Sequence, residues 1–334
     1  MAELTVAAGL ARGLMDLAAA KGANRAELAA RSGVALDDLA DVDRRIPFPK
    51  YVALMRAGQD LANDPALALH YGETNDMANI SVVGLIAYAC ETMMEAMAQT
   101  NRYGRLVVEF DGPRHRYSLE PKDGGLWFVD HRENPNEFPE LTQSTFARAI
   151  CGPRRFGVTQ LAKAVHVTHP APAYRAEYER IYGAPVTFDA DWNAILLEEK
   201  WLHHPISVQP RYVFGLLTDH ADALLKRLEN SKTVRGRVES LLLPILHKGE
   251  ASMDTVAAKL GQSRQTLFRQ LKDEGTTYVK VLDALRRQMA LDYLGGKKVS
   301  VNETAYLVGF SDPAAFSRAF KRWTGKSPRD VLRG

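Results

Sequence analysis

The chain has 334 residues, 46% of them apolar and 25% charged, which excludes a disordered or fibrous protein and suits a globular one of about two domains. No apolar run approaches the ~20 residues of a membrane span, the densest (241–246) being broken by Pro244, and Glu3 and Asp16 inside an Ala/Leu helix pattern argue against a signal peptide. Two cysteines, Cys90 and Cys151, make neither a disulfide framework nor a metal cluster, so a cytoplasmic protein without membrane contact, metal or cofactor is expected.

The formal net charge of +3 hides a split. Residues 233–334 hold 18 Lys and Arg against 10 Asp and Glu, while the rest of the chain holds 25 against 30. An acidic body joined to a basic last third points to a polyanion met by that third alone. A solvated cationic surface would give the same count, so charge decides nothing by itself.

In chain order, residues 1–75 read as helices, Ala/Leu-rich and broken at Gly22, Gly33 and RIPFPK (45–50). AELAARSGV (26–34) looks like a helix-turn-helix, but Asp37, Asp38, Asp41 and Asp43 follow at once and would repel phosphates. It is read as a plain helical element of the acidic part of the chain, not as a DNA reader. Residues 83–107 read as a helix running into a strand. Strands are expected at RLVVEF (105–110), RHRYSLE (114–120) and GLWFVDH (125–131), separated by DGP and PKDGG turns. PELTQSTFARAICGP (139–153) reads as a helix and AVHVTH (164–169) as a strand. Residues 174–206 suggest a helix, a turn marked by Gly183 and Pro185, and two strands. The sum is an α+β domain with non-sequential strand pairing.

Alternation along these strands puts His115 and Tyr117 on one face, and Trp127 with His131 on a face of the next strand. An aromatic wall with a few convergent polar groups is typical of small-ligand sites. These four residues, with Arg114 and Arg116 for an anionic ligand, are the candidate effector contacts; Arg154 and Arg155 are further cations of the same kind. Plain core packing is the alternative for Tyr117 and Trp127, and surface ion pairing for the arginines.

The basic third carries the sharper signal. In GFSDPAAFSRAFKRWTGKSP (309–328), Asp312 is a good N-cap and Pro313 sits at N1, where its missing N–H costs nothing. Phe316, Phe320 and Trp323 fall on one stripe, Gly325 can end the helix, and Pro328 cannot continue it. Ala314, Ser317, Arg318 and Lys321 lie opposite. A helix small and cationic on its outer face can enter the DNA major groove, about 12 Å wide. Upstream, 304–308 reads as a short helix and Gly309 as a tight turn, which completes a helix-turn-helix.

The pattern occurs twice. In TVAAKLGQSRQTLFRQLKDEG (255–275), Ala257 and Gly261 match Ala305 and Gly309, and Leu267, Arg269, Leu271 and Lys272 match Phe316, Arg318, Phe320 and Lys321. Ser263 caps the first recognition helix as Asp312 caps the second. Repetition of both core and cationic positions is far more specific than either copy. A Leu-rich helix over 277–294, roughly 25 Å long, would set the two recognition helices about one DNA turn apart.

Residues 233–334 resemble the DNA-binding domain of AraC/XylS-type bacterial transcription regulators; the 309–328 stretch is close to that family's C-terminal signature. The resemblance implies an all-α unit of seven helices with two helix-turn-helix motifs joined by a long helix. It carries base readout onto Gln265, Phe268 and Arg269 in the first recognition helix, and onto Ala314, Ser317 and Arg318 in the second. Arg264 and Thr266 complete the contact set, with Lys272, Lys321, Arg322 and Lys326 as phosphate contacts. Thr304 departs from the family, which has isoleucine there; a hydroxyl in place of buried methyls is expected to loosen the second motif by about 1 kcal/mol.

The N-terminal part resembles the arabinose-binding-like regulatory domain of the ornithine-regulator and VirS type, through Tyr103-Gly104 after the 84–100 helix, YGAPVTF (182–188) and HHPI (203–206). The two resemblances imply residues 1–225 for effector sensing and dimerisation, 226–232 as linker and 233–334 for DNA binding. They further imply a homodimer on a double-stranded operator, responsive to a small molecule and activating through RNA polymerase, with repression left open. An enzyme with a DNA-targeting module is the first rival. There is no phosphate loop, HExxH, GxSxG or paired-cysteine metal motif, and the adjacent His203 and His204 are poorly placed for joint ligation. A non-specific architectural DNA binder is the second.

Overall fold

A computed structural model describes residues 3–111, 115–206, 210–296 and 299–333. The backbone divides into two units, 1–225 and 226–334. The first contains β1 (Thr5–Ala7), α1 (Ala8–Ala20), α2 (Arg25–Ser32), β2 (Arg45–Pro47), α3 (Phe48–Leu61), α4 (Leu67–Thr74), α5 (Val82–Ala89) and α6 (Met93–Val107). It continues with β3 (Tyr117–Lys122), β4 (Gly125–Asp130), α7 (Pro139–Cys151), β5 (Ala162–His166), α8 (Arg175–Tyr182), β6 (Val186–Thr187) and β7 (Asn193–Leu197). Its last helix, α9 (Arg211–Ser231), runs through the boundary, so most of the stretch expected as a linker is helical.

The sheet has the order β3-β4-β7-β5-β6, antiparallel except for the parallel β5–β6 pair. Tyr117 stands opposite Asp130, and Phe128 opposite Leu119 and Ile195, on one face. Trp127, Val129 and Ala194 pack together on the other, with Trp192 and Leu196. Leu10, Leu14, Met15, Tyr51, Tyr71 and Phe146, from α1, α3, α4 and α7, are fully buried and form the helical core.

Three expectations need correction. Residues 83–107 are two helices, not a helix running into a strand: Thr92 starts α6 by accepting the Glu95 N–H at 3.2 Å, a cap that interrupts the apolar run. RLVVEF is not a strand, because Arg105–Val107 completes α6 with Leu106 and Val107 buried, and only Val108 makes an isolated bridge, to Val6. The 1–75 region is not purely helical: Thr5–Ala7 pairs antiparallel with Arg45–Pro47, and the Arg45 guanidinium ties the pair to the carbonyls of Thr5, Arg105 and Leu106. A sequence pattern needs four residues or more to reveal a strand. Of the aspartates after AELAARSGV, Asp37 and Asp38 sit on a short 3-10 turn (Leu36–Leu39), while Asp41 and Asp43 lie between it and β2, so the chain runs on into a strand there.

The second unit consists of α10 (Val234–Leu242), α11 (Met253–Lys259), α12 (Arg264–Asp273), α13 (Tyr278–Gly295), α14 (Val301–Leu307), α15 (Pro313–Thr324) and α16 (Pro328–Arg333). Each starts on a Ser, Thr or Asp whose side chain accepts a backbone N–H: Thr233, Ser252, Ser263, Thr277, Ser300, Asp312 and Ser327. Such caps contribute about 1 kcal/mol each, and they explain why short helices hold here. Glu274, just after α12, also accepts the Val234 and Arg235 N–H groups at 2.6 and 2.9 Å, tying α10 to the first motif.

Candidate nucleic-acid interface and ligand cavity

Two apolar clusters hold the two motifs. The first joins Val238, Leu242, Val256, Ala257, Leu267, Leu271 and Val281; the second joins Leu246, Ala290, Leu294, Ala305, Val308, Phe316 and Phe320. The long helix α13 feeds both: Tyr278 and Val281 enter the first, Ala290 and Leu294 the second, and Leu282 touches each. Burying Leu267/Leu271 and Phe316/Phe320 forces the opposite sides of α12 and α15 outward. Gln265, Phe268, Arg269 and Lys272 are exposed on α12, as are Ala314, Arg318, Lys321 and Arg322 on α15. Phe268, at 54% exposure, is an aromatic left in solvent on the cationic side of its helix.

The turns are built by glycine. Gly261 has φ +68° and Gly309 φ +79°, the left-handed region that side chains disfavour. Around Gly309 the space is tight, since a Cβ would lie 2.3 Å from the Leu246 carbonyl oxygen. Arg286 on α13 fixes this second turn by donating to the Val308 and Gly309 carbonyls at 3.0 and 3.1 Å, with its guanidinium over Phe310. Thr304 is fully buried, and its hydroxyl donates to the Ser300 carbonyl at 2.8 Å. The polar group is thereby satisfied, which removes most of the cost expected of a buried hydroxyl.

Several outward side chains are already partnered. Arg264 pairs with Asp254 at 2.8 Å, Arg322 with Asp283 at 3.1 Å, and Arg318 lies 3.8 Å from Asp312. Thr266 is half-buried, its hydroxyl 2.9 Å from the Ser263 cap, and Ser317 donates to the Pro313 carbonyl. Among the described residues Arg269, Lys272 and Lys321 form no ion pair, which leaves their charge available to a polyanion.

In the N-terminal unit a cavity of about 190 Å³ opens between α6, α7 and the Phe128 face of the sheet, far beyond the ~10–15 Å³ that a single water needs. Its wall is mostly apolar, with Met77, Met93, Met97, Val107, Phe128 and Phe156 among the lining side chains. Arg116 lines it and is itself buried, donating to both Asp130 oxygens at 2.8 and 2.6 Å. Burial alone would push the Asp130 carboxyl up; the Arg116 guanidinium outweighs it and holds the carboxyl below the usual range.

A family model described as the N-terminal arabinose-binding domain of AraC transcription regulator matches residues 22–206, more than half of the chain, and one described as a helix-turn-helix domain matches residues 256–334. The chain belongs to the AraC family of transcription regulators. It is 28% identical over 340 residues to the ornithine utilization regulator of Pseudomonas aeruginosa, covering 98% of this chain and 96% of that one. It is 24% identical to the transcriptional regulator VirS of Mycobacterium tuberculosis, over 84% of this chain and 82% of that one. The crystal structure of the transcriptional regulator CdpR from Pseudomonas aeruginosa matches 80% of this chain and 86% of its own, at 23% identity and a TM-score of 0.39. Both curated relatives are named as regulators, and neither as an enzyme.

The residues expected at an effector site of this AraC-type regulator divide by sheet face. Tyr117 and Arg116 line the cavity, Tyr117 stacked on Phe128 with ring centroids 4.8 Å apart. Trp127 points to the opposite face, against His166 and Trp192. His131 follows it there, bonded to Ser118 at 2.6 Å and 3.1 Å from Glu120. The register explains the split: Trp127 stands opposite Glu120 and Leu196, one residue out of phase with Phe128. His115 is exposed and does not line the cavity, and Arg114 lies outside the described residues. Arg154 donates to the Ile181 carbonyl, whereas Arg155 lines the cavity paired with Asp76. Sequence reasoning passed over Arg148, which also lines the cavity, and Arg286. Arg148 lies on a helix whose pattern is ordinary, and nothing in its neighbours marks it.

Proposed function

We propose that this AraC-type regulator reads paired half-sites as a homodimer and activates transcription through RNA polymerase, in the cytoplasm, when a small molecule occupies the N-terminal cavity. The observation that carries the reading is the pairing, within one chain, of two outward cationic recognition helices with an apolar cavity in a separate unit. On α12, Arg269 and Gln265 supply bidentate donors and acceptors suited to guanine and adenine edges, with Phe268 beside them for apolar contact. On α15, Ala314 offers little beyond contact with a thymine methyl, and Ser317 has spent its proton within the helix. The second motif therefore anchors more than it specifies, with Arg318, Lys321 and Arg322 on the backbone.

The relative named for ornithine utilization suggests an amino-acid effector, but no Asp or Glu lines this cavity among the described residues, so a side-chain ammonium would lack a counter-charge. The test is selection of bound duplexes from a randomised pool by the purified full chain, then anisotropy on selected and scrambled DNA. A preference of about 10³ or more is expected, with added transcript when RNA polymerase is supplied. Equal affinity for both duplexes would indicate an architectural binder, and reduced transcript a repressor.

A further inference from the structure

Three arginines line the cavity, and they differ in what neutralises them. Arg116 is clamped by Asp130, and Arg155 by Asp76 with its guanidinium over Tyr88. Arg148, on α7, has no such partner. Its Nε and Nη2 are buried without a hydrogen bond, and its guanidinium lies 5.4 Å from the Tyr71 ring centroid. Glu140 is on the same helix but two turns earlier, about 12 Å along the axis, and makes no ion pair with it among the described residues. Two nitrogens of a guanidinium held this way are out of water with no hydrogen-bond acceptor, and the cation–π contact with Tyr71 offsets only part of that cost.

We propose that Arg148 anchors the carboxylate of a small monoanionic effector with an apolar body, which supplies the third ion pair of the cavity. The remainder of the wall supports that chemistry. Asn101 is engaged in both directions with the Tyr117 backbone, at 2.8 and 3.2 Å, and offers the ligand little. A single free guanidinium matches one negative charge bidentately, whereas a phosphate dianion would keep a charge unpaired. The methionines and phenylalanines leave the rest of the ligand to apolar contact, and methionine adapts to irregular shapes.

The proposal rests on the reading that the N-terminal unit takes an effector, and the test separates the two. Full-length wild type, Arg148→Gln and Arg148→Met are titrated with 3-phenylpropionate, 3-phenylpropanamide, 3-phenylpropylamine and phenyl phosphate, following melting temperature and calorimetric affinity. The carboxylate alone should stabilise the wild type, with affinity falling at least about tenfold in Arg148→Gln. Without any probe, Arg148→Met should melt within about two degrees of wild type, because the cation it removes has no ion pair among the described residues and gives up only its contact with the Tyr71 ring. Equal binding of carboxylate and amide, undiminished binding by Arg148→Gln, no carboxylate binding by wild type, tighter binding of the phosphate, or a ligand-free Arg148→Met that melts several degrees lower would each overturn the anchor. Amine or amide binding that alters DNA affinity would sink the anchor and keep effector control. Carboxylate binding through Arg148 with unchanged DNA affinity would do the reverse.

Discussion

Gly261 and Gly309 hold the same place in the two motifs and the same left-handed backbone, yet their surroundings differ. A Cβ at Gly261 meets nothing within 4 Å, while one at Gly309 meets the Leu246 carbonyl at 2.3 Å. Gly261→Ala should therefore cost only the backbone penalty, about 1–2 kcal/mol, and Gly309→Ala distinctly more, about 3 kcal/mol or above once the clash is added. Urea unfolding of both variants checks this; equal midpoints would mean that the Leu246 carbonyl yields freely. The buried Arg116–Asp130 pair makes a second prediction at this scale. Asp130→Asn strands a buried guanidinium and should cost about 3–5 kcal/mol. Because Arg116 lowers the folded-state pKa of Asp130, its contribution is present above the ordinary carboxyl value near 4 and is lost as pH falls through the lower, folded value. The stability gap between wild type and Asp130→Asn should narrow on acidification, as followed by circular dichroism; a gap constant down to pH 2 would contradict the coupling.

Helices α12 and α15 were legible because three local signals agree at each: a capping side chain, an apolar stripe and a glycine turn before the cap. Phe316 and Phe320 are fully buried with ring centroids 5.6 Å apart, so Phe320→Ala should cost about 3–5 kcal/mol; an unchanged melting curve would mean that the stripe carries no core. Where signals conflict, the reading failed. Residues 83–107 show apolar residues at both helical and strand spacing, and only the Thr92 cap, with Glu95 three residues on, marks the break. The strand order β3-β4-β7-β5-β6 joins pieces far apart in sequence, and no local pattern encodes it. The cavity was half legible for the same reason. Alternation identifies which residues of β3 and β4 share a face, but the register decides which face looks onto α7, and with it whether Tyr117 or Trp127 meets a ligand. Arg148 and Arg286 are defined by what tertiary packing brings to them, or withholds.

At the scale of the whole molecule, the helix-turn-helix domain matched at residues 256–334 lies within the basic last third, and salt dependence tests whether that charge meets DNA. Arg269, Lys272, Arg318, Lys321 and Arg322 face outward from the two recognition helices. If all five neutralise or approach phosphates, log K should fall with log salt at a slope of about −4 to −5 for each protomer bound, and about −9 for the proposed homodimer on paired half-sites. The two classes of contact then separate. Lys272→Gln and Lys321→Gln should weaken selected and scrambled duplexes alike and each make the slope shallower by about 1 per bound protomer, because each removes one released counterion from each chain. Arg269→Ala should cost about 1–3 kcal/mol on the selected duplex and relax preference at one base pair, with a smaller loss on scrambled DNA. Arg322→Gln should change the slope less than Lys321→Gln, since Arg322 must first leave Asp283, its partner at 3.1 Å. A slope near zero, or one unaltered by both lysine substitutions, would remove the recognition helices from the interface and leave the cationic surface merely solvated.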